Sequence, residues 1–545
     1  MIIPYTAGGR RRLFERLMEE CFVSRDERRS RYDQWRHFFL FGDSAKRARF
    51  NKLRSHIEDV ASLLFAAEAV RFGLSWGARA ERGPDWMLET ASQALETVWH
   101  EDGMGLTFSE ALPWAFNYGT MLLSPQWRSG GLTLYQIQPW NFGVSNEKIT
   151  RLDHQEAVAV SYNISVPEFI RLVDKAGRGA DLQKIMRRVS IGPPQTEDVS
   201  SEEAPVVLSS TAGSPNYTGA VNTDLGYDPY QARVRSNVVE MRDLYVWDDA
   251  LKSRRIITQA APDFFLFDRP SFLKTGRLPF AALTPNPMQE YFWGESEIEL
   301  LSGLQEWRNK RFAQIDRMLR RQERPPKILA GFQGITDEKA DGLNREGTII
   351  SSMLPGAKVQ ELSPQIPPDA FQEIAQLDAM FSVASGNRES LFGDLGPNVR
   401  SHAHMAAAAM LASARPKRRS LRIEGCLNDL ISVALDVLRQ EDDREWVGDE
   451  GAEMRFGDLA HSVKAKVDGH SASPVFAAQN QMAVSELFAA GALGPMELLE
   501  EINPPMAEVL KTRLKHKAAL AAQHPQQAAE EAQKHRKAVG KLKVA

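Results

Sequence analysis

Residues 278–362 constrain the fold of this chain more than any other segment, because two long helical patterns start to bracket a short β-rich insert there. The segment begins as extended, proline-punctuated chain and continues as an arginine-rich helix, which is broken at Pro325 and Pro326. After the insert, a second helix starts at Pro368 and Asp369. The pattern predicts two helices joined at one end by a compact β module, which is a mechanical element with no resemblance to an active site.

The first of these helices carries a capping box, in which Ser296 precedes Glu299 by three residues. Helical spacing of its apolar residues continues to about Gln322, which gives a length of ~40 Å at 1.5 Å per residue. Its second half is basic, since residues 308–327 contain eight Lys or Arg and only two acidic residues. Such a run can face a polyanion or pair with acidic residues of adjoining subunits, and the sequence leaves both readings open.

The insert itself consists of short apolar or β-branched runs separated by glycine-bearing turns. These runs cover residues 327–332, 348–353 and 359–362, and they predict a small sheet. Asp369 then caps the second helix, whose apolar residues share one face. Those residues are Phe371, Ile374, Leu377 and Phe381.

The chain before the insert mixes helical and strand-like patterns. Helical spacing is found in residues 10–82, 84–100, 107–121 and 166–184. In the third of these, Thr107 is expected to be the N-cap, with Glu110 in the box position. Strand patterns are found in LTLYQIQPW, in AVAVSYNIS, in a hairpin of NVVEMRDLYVWDD and RRIITQA, and in DFFLF. The predicted fold class is therefore α+β and mainly helical.

Three further segments have distinctive compositions. Residues 191–231 are dense in Pro, Gly, Ser and Thr, and predict a long loop or flexible insert. An alanine-rich helical pattern covers residues 401–440, in which Pro416 predicts a kink or break, and an acidic loop, QEDDREWVGDEGAE, follows it. Residues 511–545 carry nine Lys or Arg against two Glu, which predicts a solvated or frayed end.

Composition and motifs exclude several classes of function. The net charge of −4, with 43% hydrophobic and 25% charged residues, is that of an ordinary globular protein. There is no secretory signal pattern and no run of ~18 apolar residues, so no membrane span is expected. Neither a G-x-x-x-x-G-K-[ST] phosphate loop nor a G-x-G-x-x-G motif occurs. His402 and His404 lack nearby ligands that would complete a metal shell, so no metal and no cofactor are expected.

The order of these parts resembles that of the portal, or head-to-tail connector, proteins of tailed bacteriophages, particularly the short-tailed ones. The resemblance rests on LPFAALTPNPMQEYFWGESEIELLSGLQEWRNKRFAQIDRMLRRQERPPKIL, GTIISSMLPGAKVQEL, PPDAFQEIAQLDAMFSVASGNRESLFG and SASPVFAAQNQMAVSELFAAGALGPMELLEEINPP. It implies the following map: a wing in residues 1–294 with a flexible insert at about 191–231, a first stem helix in 295–326, a clip in 327–367, a second stem helix in 368–384, a tunnel loop in 385–402, a long wing helix and following loop in 403–474, and a helical crown with a basic tail in 475–545.

The resemblance implies a structural protein without catalytic residues. Such proteins form a ring, usually of twelve copies, at one capsid vertex of the virion, after synthesis in the host cytoplasm. Double-stranded DNA passes through the ring during packaging and ejection. The implied partners are the terminase large subunit, which docks on the clip and is later replaced by tail adaptor proteins, and the major capsid and scaffolding proteins.

Site residues follow from the same map. Those expected near DNA in the channel are Arg388, Arg400, Arg317, Arg320 and Arg321. Those expected in clip docking are Phe332, Thr336, Asp337 and Arg345. A translocating polymer must slide, and each neutralised phosphate adds affinity, so sparse DNA contacts are expected.

Two other functions remain as alternatives. One is a non-enzymatic virion scaffold or adaptor protein without a DNA channel. The other is a metal-dependent packaging nuclease, which would need a carboxylate cluster that binds Mg²⁺.

Overall fold

The computed structural model describes residues 7–43, 50–77, 83–188, 238–261, 264–323, 327–330, 358–361, 369–386, 414–448 and 451–467, together with isolated positions between 484 and 514. The described chain mixes helices and sheets, as the α+β prediction requires. None of the helices in these ranges is long and apolar enough to cross a membrane.

The helices lie mostly at the two ends of the described chain. They are α1 Ala7–Phe22, α2 Arg25–Phe41, α3 Lys52–Leu64, α4 Asp85–Glu101, α5 Met104–Tyr118, α6 Val166–Lys175, α7 Leu182–Arg188, α8 Glu297–Glu323, α9 Asp369–Ser385 and α10 Ala414–Glu441.

All strand pairs are antiparallel. The strands are β1 Phe72–Ser75, β2 Met121–Arg128, β3 Gly131–Ile137, β4 Phe142–Val144, β5 Ala157–Ser165, β6 Val238–Asp248, β7 Ser253–Ala261, β8 Phe264–Pro270, β9 Ala281–Leu283, β10 Lys327–Ala330, β11 Lys358–Glu361, β12 Trp446–Val447, β13 Glu453–Met454 and β14 Lys464–Val467. They form a five-stranded sheet in the order β4-β5-β6-β7-β8, a three-stranded sheet β3-β2-β9, and the pairs β1-β14, β10-β11 and β12-β13.

The five-stranded sheet is covered on both faces. Side chains alternate along β5, so Ala157 and Ala159 pack against α1, whereas Val158 and Val160 pack against the segment that precedes α8. At the other end of the sheet, α6 and α7 pack on Val239 and Met241. A second and larger core joins α3, α4, α5 and α10 to the three-stranded sheet, and both α8 and α9 contribute to it.

Most of the predicted elements in the described ranges are confirmed. Helix α8 covers Glu297–Glu323 and α9 covers Asp369–Ser385, in the two segments where helical patterns were predicted. Strands β6 and β7 form the predicted hairpin, with β8 beside it. Both cysteines, Cys21 and Cys426, are buried and unpaired.

Three predictions were wrong. The single helix predicted at residues 166–184 is divided into α6 and α7, with a short 3₁₀ helix at Gly179–Asp181 between them. Thr107 does not cap a helix, because α5 begins three residues earlier at Met104, and the Thr107 hydroxyl donates to the Gly103 carbonyl inside the first turn. Gly103 provides the turn into α5 through its positive φ of 66°. The helical pattern also ends before residue 82, since Phe72–Ser75 is a strand that pairs with β14. That partner lies nearly 400 positions away, so local spacing carried no sign of it.

Several predictions lie outside the described residues. These are the insert at 191–231, the strand at 348–353, the part of the alanine-rich helix before Ala414, His402 and His404, and all but isolated positions of the crown and tail.

Candidate functional site

Helices α8 and α9 form an antiparallel pair that ion pairs hold together. The Arg308 guanidinium donates to the Asp378 carboxylate at 3.0 Å, and Arg311 lies 2.7 Å from Glu373. Lys52 of α3 donates to the same Asp378 oxygen at 2.9 Å. The numbering rises along one helix while it falls along the other, so the helix ends that face the β10-β11 pair lie side by side.

Arg308 is the best-buried cation of the pair. Its guanidinium lies between two aromatic rings, 4.7 Å from the centre of Phe50 and 4.6 Å from that of Phe312. Stacking satisfies the apolar faces of a guanidinium while its edge binds the carboxylate. The Arg308 guanidinium is therefore engaged by groups of its own chain on both its faces and its edge.

The start of α8 is anchored in a buried polar cluster. Ser296 caps the helix by accepting from the Ile298 backbone at 3.0 Å, and its hydroxyl donates to the Asn117 carbonyl. The first helical residue, Glu297, is only 1% exposed, and it accepts from Asn286 at 2.8 Å and from Arg419 of α10. Three separate elements therefore meet at the first turn of α8.

Charge balance in this cluster favours an ionised Glu297. Burial raises its pKa, but the neighbouring His56 imidazole and Arg419 guanidinium outweigh that effect and hold the pKa below its usual value. His56 Nε2 lies 3.8 Å from the carboxylate, beyond hydrogen-bonding distance. The His56 ring also meets the buried Phe381 ring edge-on, with centroids 5.4 Å apart, so α3, α8, α9 and α10 are joined here.

Close packing between two backbone segments also fixes the chain that leads into α8. Gly119 follows α5 with φ of 78°, and a Cβ at this position would lie 2.9 Å from the Trp293 carbonyl. Gly294 has φ of 68°, and a Cβ there would lie 2.8 Å from the Gly119 carbonyl. Only residues without a Cβ allow this approach, so the end of α5 and the chain entering α8 are pressed together.

The outer faces of the two helices differ in charge. On α8 the outward positions carry Glu299, Glu306, Lys310, Arg317 and Arg320. On α9 the positions that point away from α8 carry no charge between residues 372 and 383, and they are Gln372, Ala375, Gln376, Ala379, Met380 and Val383.

Large apolar side chains are exposed on both helices. Val383 of α9 is 70% exposed and Trp307 of α8 is 45% exposed. The others in this group are Leu300, Phe312 and Leu319 on α8 and Phe371 and Met380 on α9. Several large exposed apolar side chains on one pair of packed helices make this pair a candidate interaction surface.

The predicted DNA-channel residues are only partly described. Arg317 is exposed and donates to the Ala313 carbonyl, and Arg320 is exposed and lies 3.2 Å from Asp316, one turn earlier. Arg321 lies in α8, but its side chain is outside the described part, as are Arg388 and Arg400. The predicted docking residues Phe332, Thr336, Asp337 and Arg345 also lie outside the described residues.

The sequence does not reveal the partners of Arg308 and Arg311. A polyanion and acidic residues of adjoining subunits are the two predicted alternatives, whereas both arginines pair with acidic residues of α9 in the same chain. The available signal was the acidic pair Glu373 and Asp378, five residues apart on the helix that returns beside α8.

Little catalytic geometry is present among the residues that the structure describes. No group of three or more His, Cys, Asp or Glu side chains there could hold a metal ion. One G-x-S-x-G pattern occurs at residues 73–77. Its Ser75 ends strand β1 and pairs with Lys464, whereas a nucleophile elbow needs a sharp strand-to-helix turn.

A cavity of about 1060 Å³ lies between α10, the loop before β5 and the segment around β9. Both signs of charge line it, with Arg151, Arg277 and Arg422 opposite Asp153 and Asp429. Burial and the nearby Asp153 raise the pKa of Asp429, while Arg151 and Arg277 oppose that shift. Because both signs of charge line the cavity, its lining does not indicate one class of ligand.

Comparison with known proteins gives a likeness to solved structures only. No protein-family model and no curated protein matches the chain. A chain in the neck of an empty gene transfer agent particle is 11% identical, with 86% of this chain and 93% of that chain covered and a TM-score of 0.42. A chain from the virion of a native gene transfer agent particle is 10% identical, covering 86% and 92%, with a TM-score of 0.40. Similarity at this level carries no argument about function.

Proposed function

We propose that this chain is a portal-type subunit, which assembles as a ring at a capsid vertex and forms the channel for packaging and ejection of double-stranded DNA. The observation that carries the proposal is the antiparallel pair of α8 and α9, which leads at one end into the β10-β11 pair and is anchored at the other in the main core. The order of these parts is the order of first stem helix, clip and second stem helix that the sequence resemblance implies.

Exposed apolar side chains on the helix pair support the assembly. Trp307 and Val383 lie on elements that ion pairs and close packing hold rigid, so their exposure is not relieved by rearrangement within the chain. Covering such surface with a neighbouring copy removes apolar area from water, at about 25 cal/mol per Å². A ring of copies would cover this surface in every subunit.

The charges of the pair support a channel in which DNA slides. Arg308 and Arg311 are already neutralised by Asp378 and Glu373, so the first stem helix offers fewer free cations than its sequence indicates. The outward face of α9 adds none. Tight phosphate contacts, each of which adds salt-dependent affinity, would slow a moving duplex.

The finer assignments belong to the proposal as well. Arg388, Arg400, Arg317, Arg320 and Arg321 are the proposed DNA-facing cations. Phe332, Thr336, Asp337 and Arg345 are the proposed docking residues for the terminase large subunit and, later, for tail adaptor proteins. Twelve copies at a virion vertex, in contact with capsid and scaffolding proteins, complete the proposed assembly.

Negative-stain microscopy of the purified full chain tests this function. We expect closed rings with a central opening wide enough for a DNA duplex. Monomers at every salt concentration would contradict the proposal, and closed rings with an opening too narrow for a duplex would favour an adaptor without a channel. Incubation with linear DNA and Mg²⁺ should leave the DNA intact, and metal-dependent cleavage would instead favour a nuclease.

A further inference from the structure

Helix α10 carries opposite charges at its two ends. Near its start are Lys417, Arg418 and Arg422, with Leu421 51% exposed beside them; we call these four residues the basic end. At its other end are Glu441, Asp443, Glu445 and Glu453, with Val447 63% exposed among them; we call these five residues the acidic end. Charges of one sign predominate at each end, beside one exposed apolar side chain. At the acidic end Arg444 pairs with Asp442 and Arg455 pairs with Glu445, which leaves Glu441, Asp443 and Glu453 as the unpaired acids among the described residues there.

Helix stability does not explain the acidic end. The helix macrodipole favours acidic residues near the N-terminus and basic residues near the C-terminus, by about 0.3–1 kcal/mol each. Glu441 is the last residue of α10, so its carboxylate has the unfavourable sign there, whereas Arg439 in the same turn has the favourable sign. The chain keeps Glu441 against the preference of the helix.

The two ends do not neutralise each other within one chain. From Arg418 to Glu441 the helix rises about 35 Å at 1.5 Å per residue. Among the described residues, Arg418 and Arg422 form no ion pair, and neither do Glu441 and Asp443. The acidic end lies next to Glu101 and Asp102, whose charges act on Arg444 and increase the local negative charge.

We propose that the basic end of α10 in one copy binds the acidic end of α10 in the next copy. Complementary patches at different places on one chain form a heterologous contact, which closes into a ring or continues as a filament. The inference rests on the proposed ring function and identifies a contact that orients neighbouring copies. DNA bound at the basic end would account for the cations but not for the acidic end.

The strength of the contact follows from the exposure of its charges. Exposed ion pairs contribute about 0–1 kcal/mol each, so several pairs and the apolar side chains Leu421 and Val447 must act together. Screening shortens the range of such pairs to about 3 Å in 1 M salt. Assembly should therefore weaken as the salt concentration rises.

Paired charge reversals in the full chain test the contact. One variant carries Arg418→Glu and Arg422→Glu, and the other carries Glu441→Lys and Asp443→Lys. All four replaced residues are exposed, so each variant should keep a Tm close to that of the wild type. The matched control carries Arg171→Glu and Arg178→Glu, which reverse two exposed arginines on and after α6.

Mass photometry and negative stain at 0.1 M salt provide the readout. Each reversed variant alone should associate at least about tenfold more weakly than the wild type, equivalent to about 1.4 kcal/mol. The control should assemble normally. A 1:1 mixture of the two reversed variants should restore association, because each reversed end then meets an end of opposite charge, and so should one chain that carries all four reversals.

The outcomes separate this contact from the ring function. Wild-type rings together with normal rings in both reversed variants would overturn the contact and leave the portal proposal standing. Loss of DNA binding in the Arg418→Glu, Arg422→Glu variant with normal assembly would assign the basic end to DNA instead. Failure of the mixture and of the fourfold variant to recover would also overturn the contact, and absence of rings in the wild type would overturn both proposals.

Discussion

The Arg308 guanidinium of α8 donates to the Asp378 carboxylate of α9 at 3.0 Å, and this contact holds the two helices side by side. Asp378 also accepts from Lys52, so one carboxylate balances two cations. We expect Asp378→Asn to destabilise the chain by about 1–3 kcal/mol, because it leaves the buried Arg308 without a counter-charge. The midpoint of urea unfolding measures this loss.

The other ion pair of the two helices provides the control. Arg311 and Glu373 are both more than a quarter exposed, so water screens their attraction. Glu373→Gln should cost less than about 1 kcal/mol. Equal losses for the two variants would mean that burial of Arg308 has no part in holding the helix pair.

Two positions on α9 should respond to truncation in opposite ways. Phe381 is 2% exposed and packs in the main core, so Phe381→Ala should lower the free energy of unfolding by about 3–5 kcal/mol. Val383, two residues further on, is 70% exposed, and Val383→Ala should change it by less than about 0.5 kcal/mol. Chemical denaturation of dissociated chains compares the two, and a large loss at Val383 would contradict the exposed face.

The sequence predicted the helix pair well because its signals are local. Ser296 and Asp369 mark helix starts, Pro325 and Pro326 mark a stop, and apolar spacing between them follows the helical period. These features depend only on neighbouring residues. The same kind of signal predicted the β6-β7 hairpin, whose strands are joined by a short turn.

What the sequence could not predict depends on distant partners. Strand β1 pairs with β14 across nearly 400 residues, and Gly103 replaces Thr107 at the start of α5 because the preceding turn needs a positive φ. The partners of Arg308 and Arg311 required the position of α9 beside α8. Charge runs indicate only that partners are needed, whereas the packing of helices decides which partners are found.

The close approach of Gly119 and Gly294 gives a further test of the anchor of α8. Gly119→Ala would place a Cβ 2.9 Å from the Trp293 carbonyl at a positive φ, so both crowding and backbone strain oppose it. We expect a loss of at least about 1–3 kcal/mol, measured by thermal unfolding. Gly103→Ala is the matched control, since Gly103 also has a positive φ but its Cβ would meet no atom within 4 Å. A loss at Gly119 no larger than that at Gly103 would show that the contact is not tight.

Glu297 should make stability depend on pH. Burial raises the pKa of Glu297, but His56 and Arg419 lower it by a larger amount. The folded-state pKa therefore lies below the unfolded value of about 4.3. A depressed carboxylate pKa contributes stability that is fully present above the unfolded pKa and is lost as the pH falls through the folded pKa. The wild type should therefore lose Tm as the pH is lowered below about 4.3, and Glu297→Gln should have a lower Tm at pH 7 and a smaller further loss in acid. The control is Glu58→Gln, which removes an exposed carboxylate that pairs with Arg54 on the same helix, and it should follow the wild-type profile. If Glu297→Gln also followed the wild-type profile in acid, the Glu297 carboxylate would not be the group that titrates.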